Sequence, residues 1–320
     1  MLIYGPVPSR RLGFSFGVDV IPFKTCSFDC IYCQLGRTTS KTVERKEWIP
    51  QTEILSELEK TLSMKHKIDY ITFSGSGEPT LNSKIGELIK SIKRMTSIPI
   101  AVLTNGSLLF QKDLREGLLD ADLIVPSLDT TNQEIFEKVN RPYPSLNIDM
   151  MINGLKDLRK EFKGLIWLEV MFVEGINDGF DEIKKLKSII GEVKPDKVQL
   201  NTVVRPPTES FARPISVERS EKIKDVLGGK TEIIAKFKRE KQMAYLKDIE
   251  ERILTLIERR PVTAVDISNS LGMHRTGVIK YLDSLNRKGK IKIKSYRDDT
   301  YYESNYSAHK THEKTQKGDK

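Results

Sequence analysis

The 320-residue sequence predicts an α/β fold in two parts: a barrel-type core of six strand–helix repeats and a small basic module behind it. Three observations predict this. Short apolar runs alternate with stretches of helical periodicity between residues 16 and 201, and such alternation builds a parallel sheet buried by helices. Strands end in small or polar residues, Ser74, Thr104, Ser127 and Asn201. Polar C-terminal ends on several strands suit a central barrel pocket better than a flat doubly wound sheet, whose site sits at a switch point. The charge is also uneven. Residues 1–245 carry 37 Lys and Arg against 33 Asp and Glu, whereas residues 259–297 carry 10 against 2.

The elements follow in order. Residues 1–15 read as a polar, proline-bearing lead-in with an Arg10-Arg11 pair. Residues 16–22 read as a buried strand running into a cysteine-rich loop. Residues 52–64 place Ile54, Leu55, Leu58 and Leu62 on one helical face. Further strands are expected over 70–74, 99–103, 122–126, 165–173 and 197–201. Helices are expected over 84–95, 111–118, 132–139, 147–162 and 181–190. The core domain is assigned to residues 1–215, and three prolines in 205–214 mark an irregular stretch at its end. Residues 216–245 read as a connector. It holds a helix over 216–227, capped by Ser216 with Glu218 in its first turn, and a strand over 231–237.

Residues 246–305 read as helices over 247–259, 263–271 and 274–288, with Gly272 in the turn between the last two. A hairpin follows over 290–295 and 300–303. This pattern resembles a winged helix-turn-helix. The third helix would present His274, Arg275, Thr276 and Lys280, with Lys288, Lys290, Lys292, Lys294 and Arg297 on or beside the wing. In such modules a helix enters the major groove and basic groups contact phosphates. The expected partner is therefore nucleic acid, RNA or DNA, and protein docking is the alternative. Residues 306–320 are expected to be a disordered basic tail. No apolar run approaches the roughly 20 residues that span a bilayer, and the first residues lack a signal peptide's pattern. A cytoplasmic protein without a membrane partner is expected.

All three cysteines lie in Cys26-Ser27-Phe28-Asp29-Cys30-Ile31-Tyr32-Cys33. Three thiols cannot pair fully as disulfides. The C-x3-C-x2-C spacing matches three thiolates on an iron–sulfur cluster, with one iron left open, as at a catalytic metal site. The chain is expected to loop round the group, with Phe28, Ile31 and Tyr32 as an apolar shell. Zinc would need a fourth ligand, and His66, His274, His309 and His312 are distant in sequence. A redox dithiol would use Cys30 and Cys33 and leave Cys26 idle.

With Tyr32 before the third cysteine, the stretch resembles the signature of radical S-adenosylmethionine enzymes. The resemblance implies a [4Fe–4S] cluster on Cys26, Cys30 and Cys33, with S-adenosyl-L-methionine on the open iron. It also implies reduction by a one-electron donor such as flavodoxin or ferredoxin, and a 5′-deoxyadenosyl radical that takes hydrogen from a substrate. The implied fold is a TIM-type partial (β/α)6 barrel. Gly75-Ser76-Gly77-Glu78 resembles the family's Gly-Gly-Glu-type motif at the methionine amino group, and Ser127 and Asp129 resemble its ribose positions. Thr104 and Asn105 would form pocket wall, Asn201 would meet adenine or carboxylate, and Tyr32 would flank the cofactor. Glu169, Arg141 and Arg205 could serve as site groups or structural ion pairs. The run from Pro8 to Gly13, Gly17-Val18-Asp19 and Gln34-Leu35-Gly36 are similar to the group related to tRNA wyosine synthases. Archaeal wyosine synthases carry further cysteines, and this sequence has none. The expected function is radical chemistry on an RNA or tRNA-type substrate. The alternatives are a cluster-dependent DNA-binding regulator or modification of a protein.

Overall fold

The computed structural model describes residues 2–9, 11–63, 68–234, 243–259, 261–271, 273–296 and 299–305. The chain divides into two units, Met1–Arg239 and Glu240–Lys320.

The first unit opens with β1 (Ile3–Ser9), β2 (Gly13–Val18) and the two-residue strands β3 (Thr25–Cys26) and β4 (Ser40–Lys41). There follow α1 (Gln51–Leu62), β5 (Tyr70–Phe73), a 3-10 turn (Pro79–Leu81), α2 (Ile85–Met95), β6 (Ile100–Thr104), α3 (Lys112–Leu118) and β7 (Leu123–Pro126). The unit closes with α4 (Gln133–Asn140), α5 (Ile148–Glu161), β8 (Leu165–Phe172), α6 (Phe180–Val193), β9 (Lys197–Thr202), α7 (Val217–Leu227) and β10 (Thr231–Ile233). One sheet runs β1-β2-β5-β6-β7-β8-β9-β10. From β2 onward every neighbour is parallel, and only β1 is antiparallel. The parallel strands follow chain order without reversal, so no switch point exists and right-handed crossovers keep the helices on one face. That is the order of a barrel segment, left open between β1 and β10.

The two faces of the sheet differ. Phe16, Val18, Ile71, Phe73, Ile100 and Val102 alternate onto the helix side and are buried there with residues such as Leu88, Leu114, Leu155 and Leu186. Each such side chain contributes about 1.5–3 kcal/mol by leaving water. The other face carries a smaller apolar cluster of Leu12, Ala101, Leu123 and Val125, backed by Tyr70, Leu103 and Trp167. Two residues further along each strand that face turns polar, at Thr72, Asn105, Ser127 and Glu169.

The structure corrects three expectations. The lead-in is strand β1, paired to β2 with an irregular register between Tyr4 and Val7. Gly5, Pro6 and Pro8 read as breakers, yet an edge strand tolerates proline because one side of it has no ladder to complete. The tyrosine of β1 crosses Gly17, where an added Cβ would lie 2.0 Å from the Tyr4 ring. The first parallel strand is Gly13–Val18, and residues 19–22 leave it as irregular chain. Residues 216–233, read as a connector, belong to the first unit, because β10 extends the sheet in parallel to β9. The expected strand residues 235–237 lie outside the described residues. Helix starts follow local capping: Asn132 accepts from the Ile135 N–H, Asn147 from Met150 and Ser216 from Arg219, at 2.9–3.1 Å.

The second unit runs α8 (Met243–Arg259), β11 (Val262–Thr263), α9 (Ala264–Leu271), α10 (Arg275–Arg287), β12 (Ile291–Tyr296) and β13 (Asp299–Ser304). Its antiparallel sheet has the order β11-β13-β12. Ile253, Ile257, Ile267, Val278, Leu282, Leu285 and Ile291 are buried in this unit. A reciprocal cap opens α9: Thr263 donates its N–H to Asp266 Oδ2 at 2.8 Å, and the Asp266 N–H returns to Thr263 Oγ1 at 3.1 Å. Gly272, Arg297 and the tail 306–320 lie outside the described residues. Among the described residues, no helix is long and apolar enough to cross a membrane.

Candidate active site

The site begins where β2 ends. Asp19 takes the Ser76 N–H at 3.3 Å and also binds the Ser76 hydroxyl. The Lys24 N–H donates to Ser76 O at 2.6 Å, and the Glu78 N–H donates to Thr25 O at 3.1 Å. The glycine turn after β5 is thereby laced to the entry of the cysteine loop. A Cβ on Gly77 would lie 1.8 Å from Thr25 O, and one on Gly75, at φ +150°, would lie 2.8 Å from Asp19 Cγ. Both glycines are therefore required for chain to pass chain.

Glu78 is 2% exposed and accepts four hydrogen bonds. Thr80 N–H gives one at 3.0 Å, Thr80 Oγ1 and Thr104 Oγ1 each give one at 2.6 Å, and the Asn105 N–H gives one at 2.7 Å. Burial still raises its carboxyl above the usual range. Glu78 thus ties the end of β5 to the end of β6. Asn105, held by that bond, donates Nδ2 to Ser27 Oγ at 2.9 Å and to Cys26 Sγ at 3.6 Å.

Asp129 plays the matching part at the end of β7. Its Oδ1 takes the Met171 N–H at 2.9 Å, and its Oδ2 takes the Tyr32 hydroxyl at 2.5 Å and Asn140 Nδ2 at 2.7 Å. Burial pushes its carboxyl up to about 6, against the pull of these donors. Asn140, the last residue of α4, also lies 3.5 Å from Cys30 Sγ through Nδ2. The helix end docks on the loop through its carbonyls, since Ile31 donates to Val139 O at 2.9 Å and Asp29 to Asn140 O at 3.0 Å.

Each thiol therefore has a side-chain N–H donor of its own: Asn105 at Cys26, Asn140 at Cys30, and Lys24 Nζ at Cys33, 3.3 Å away. The three cysteines are half-buried and in no disulfide. Burial pushes the Cys26 thiol up to about 12, with Glu78 adding to it, and raises Cys30 as well. A redox dithiol needs the opposite shift. Among the described residues, no three His, Cys, Asp or Glu side chains converge closely enough to hold one metal ion. Three half-buried thiols on one loop, each with an N–H donor, fit an iron–sulfur cluster.

The structure gathers Tyr32, residues 75–78, Thr104, Asn105 and Asp129 round the cysteines, as described. Ser127 and Asn201 lie across the polar face. Ser127 bridges to Glu169 on the neighbouring strand. Asn201 Nδ2 donates to Glu169 Oε1 at 2.8 Å, while Arg11 Nη1 pairs with Glu169 Oε2 at 2.7 Å. Glu169 is thus both an ion-pair member and a lining group. Arg141 pairs with Glu209 at 2.6 Å and Arg205 binds the Gln34 side chain, so both brace the loop's exit. Sequence reasoning passed over Lys24, Ser27 and Asn140. Asn140 alone had a local signal, a helix stop before Arg141-Pro142.

The fold and the three-thiol loop define a radical SAM enzyme. The signature of the Radical SAM superfamily covers residues 20–186, just over half of the chain, and the chain belongs to that superfamily. Its cofactors are those of the superfamily, a [4Fe–4S] cluster and S-adenosyl-L-methionine. Within it, the chain belongs to the UPF0026 family. It is 32% identical over 311 residues to the UPF0026 protein MJ1312 of Methanocaldococcus jannaschii, covering 95% of this chain and 96% of that protein. A match of 40% identity over 293 residues is to a protein of Brachyspira hyodysenteriae named GTPase Obg. It takes in 91% of this chain and 43% of that relative, so the chain spans less than half of its length. Among solved structures, a radical SAM methyltransferase from Sphaerobacter thermophilus shares the fold at a TM-score of 0.51 and 19% identity, over 68% of this chain and 65% of that one.

Proposed function

We propose that this enzyme cleaves S-adenosyl-L-methionine reductively and directs the resulting radical at an RNA-type substrate held through the second unit. The observation that carries the first half is the set of three thiols, each with its own N–H donor, laced to a glycine turn. When bound, the cluster and its ligand supply an electron, a sulfonium to break and a hydrogen-abstracting radical. The chain's residues do the rest. Cys26, Cys30 and Cys33 would hold the irons. Carbonyls of residues 75–77, with Ser127 and Asn201, are the groups proposed to meet the ligand. Glu78 and Asp129, their lone pairs taken by the chain's own donors, act by fixing Thr104, Asn105, Tyr32 and Asn140 in place. The apolar layer of Leu103, Leu123, Val125 and Trp167 excludes water from one side of the pocket.

For the second half, the order helix, strand, helix, helix, hairpin is read as a winged helix-turn-helix. Exposed basic residues group from the end of α10 to β12, at Arg287, Lys288, Lys290, Lys292 and Lys294, and Arg252 is exposed on α8. Thr276 is buried and His274 caps α10 by accepting from the Thr276 N–H, so the phosphate-contacting region is assigned to the hairpin. A protein substrate is the second reading, favoured by Asp283, Glu250 and Glu303. These carboxylates pair with Arg287, with Lys288, and with both Lys292 and Lys294. A cytoplasmic location and a flavodoxin- or ferredoxin-type electron donor belong to the same proposal. The test compares modified RNA nucleosides and peptide masses between cells with and without the gene. A nucleoside lost with the gene supports the RNA reading, and a lost peptide modification with intact nucleosides overturns it in favour of protein.

A further inference from the structure

Lys24 is an unusual residue for its place. It is 3% exposed. Its backbone has φ +59°, in the left-handed region, where a non-glycine residue is uncommon and persists only when its surroundings hold it. Those surroundings are on both sides of it. The Lys24 N–H bonds Ser76 O at 2.6 Å, and its carbonyl takes the N–H groups of Thr39 and Ser40 at 3.2 and 3.1 Å. The side chain is buried against the cysteine loop. Among the described residues, the one acceptor within hydrogen-bond reach of its Nζ is Cys33 Sγ, at 3.3 Å. Burying an ammonium without a carboxylate partner is costly unless another anion is placed beside it. Here the neighbour is Cys33 Sγ, which would be a thiolate as a ligand of the cluster.

We propose that Lys24 is a positioning residue that sets the reduction potential of the cluster. Hydrogen bonds and charge at the ligating sulfurs are among the levers by which a protein tunes such a potential. Asn105 and Asn140 bring neutral N–H groups to the other two sulfurs, so Lys24 supplies the charged donor of the set. On reduction the cluster takes up one electron from the reductant and gains one negative charge. No bond is made or broken. A fixed positive charge in a buried site favours the more negative state, so it raises the potential and makes the electron easier to accept. The inference rests on the cluster reading of the three cysteines. That reading fails separately, if the wild-type chain assembles no [4Fe–4S] cluster.

The experiment is a potentiometric titration with dithionite, followed by electron paramagnetic resonance, on full-length, anaerobically reconstituted protein without S-adenosyl-L-methionine. Wild type is compared with Lys24→Arg, Lys24→Gln and Lys24→Met at matched iron and sulfide content. The neutral variants should show a midpoint lower by about 59 mV, a tenfold change for a one-electron couple. Lys24→Arg should stay near wild type. Wild-type midpoints in Lys24→Gln and Lys24→Met overturn the proposal. If those midpoints are unchanged while added S-adenosyl-L-methionine perturbs the spectrum less than in wild type, Lys24 binds ligand and tunes nothing. Loss of the cluster in all three variants also counts against it, because the charge-conserving change should be tolerated.

Discussion

The cysteine loop and the basic end of the second unit are both rich in polar groups, and they use them in opposite ways. Round the cysteines, Glu78, Asp129, Thr104 and Lys24 are 4% exposed or less. Each is fixed by named partners, and Glu78 alone accepts four bonds. In the second unit, Lys292 and Lys294 are 56% and 65% exposed and share one carboxylate, Glu303, at 3.4 and 3.6 Å. Buried, saturated networks are rigid and sensitive to the loss of any member. Exposed ion pairs are worth about 0–1 kcal/mol and yield readily to another partner or to salt. One region is built to hold a geometry, and the other to exchange contacts.

That contrast ranks the effects of substitution. Gly77→Ala should be the most damaging change, because its Cβ would fall 1.8 Å from a backbone carbonyl that cannot move without moving Cys26. We expect a loss of about 3 kcal/mol or more in stability, read as a lowered Tm, together with iron content far below wild type after reconstitution. A Gly77→Ala protein with wild-type Tm and iron would show that the turn and loop are not interlocked.

Next comes Asp129→Asn. An amide in place of Oδ2 turns a donor toward Tyr32 or Asn140, leaving a buried group unsatisfied at about 1–3 kcal/mol. Thermal unfolding should register that, and S-adenosyl-L-methionine cleavage should slow because Tyr32 and Asn140 lose their anchor. Asn140→Leu should be milder, since Asp129 keeps Tyr32 and the Met171 N–H. Its expected sign is an altered cluster spectrum with a smaller fall in Tm than in Asp129→Asn.

The smallest effects belong to the second unit. Lys292→Ala and Lys294→Ala should leave the unfolding free energy within about 0.5 kcal/mol of wild type, as for other surface changes. If the hairpin contacts RNA phosphates, each should lower the slope of log affinity against log salt by about one. An unchanged slope would favour a protein partner.

The difference between the regions also explains what the sequence disclosed. The three thiols are neighbours in the chain, so their spacing carries the chemistry by itself. The strands were legible because alternation sets one face against helices, as at Ile71 and Phe73. β1 was hidden by Gly5, Pro6 and Pro8, since only its edge position makes those residues harmless. β10 was expected as a strand but placed in a connector, because its parallel pairing with β9 is a long-range contact that three residues do not announce. Lys24 was invisible for a sharper reason. Its role depends on a left-handed backbone angle and on Ser76, Thr39 and Ser40 closing round it. Asp129 and Glu78 were expected from the sequence to contact the cofactor, but their saturation by the chain's own donors is a tertiary fact.

The most direct test of the central claim is formation of 5′-deoxyadenosine from S-adenosyl-L-methionine by anaerobically reconstituted, dithionite-reduced protein, for wild type and Cys30→Ala. The account predicts about four irons per wild-type chain and steady 5′-deoxyadenosine, with loss of both in Cys30→Ala. Undiminished 5′-deoxyadenosine from Cys30→Ala would contradict it.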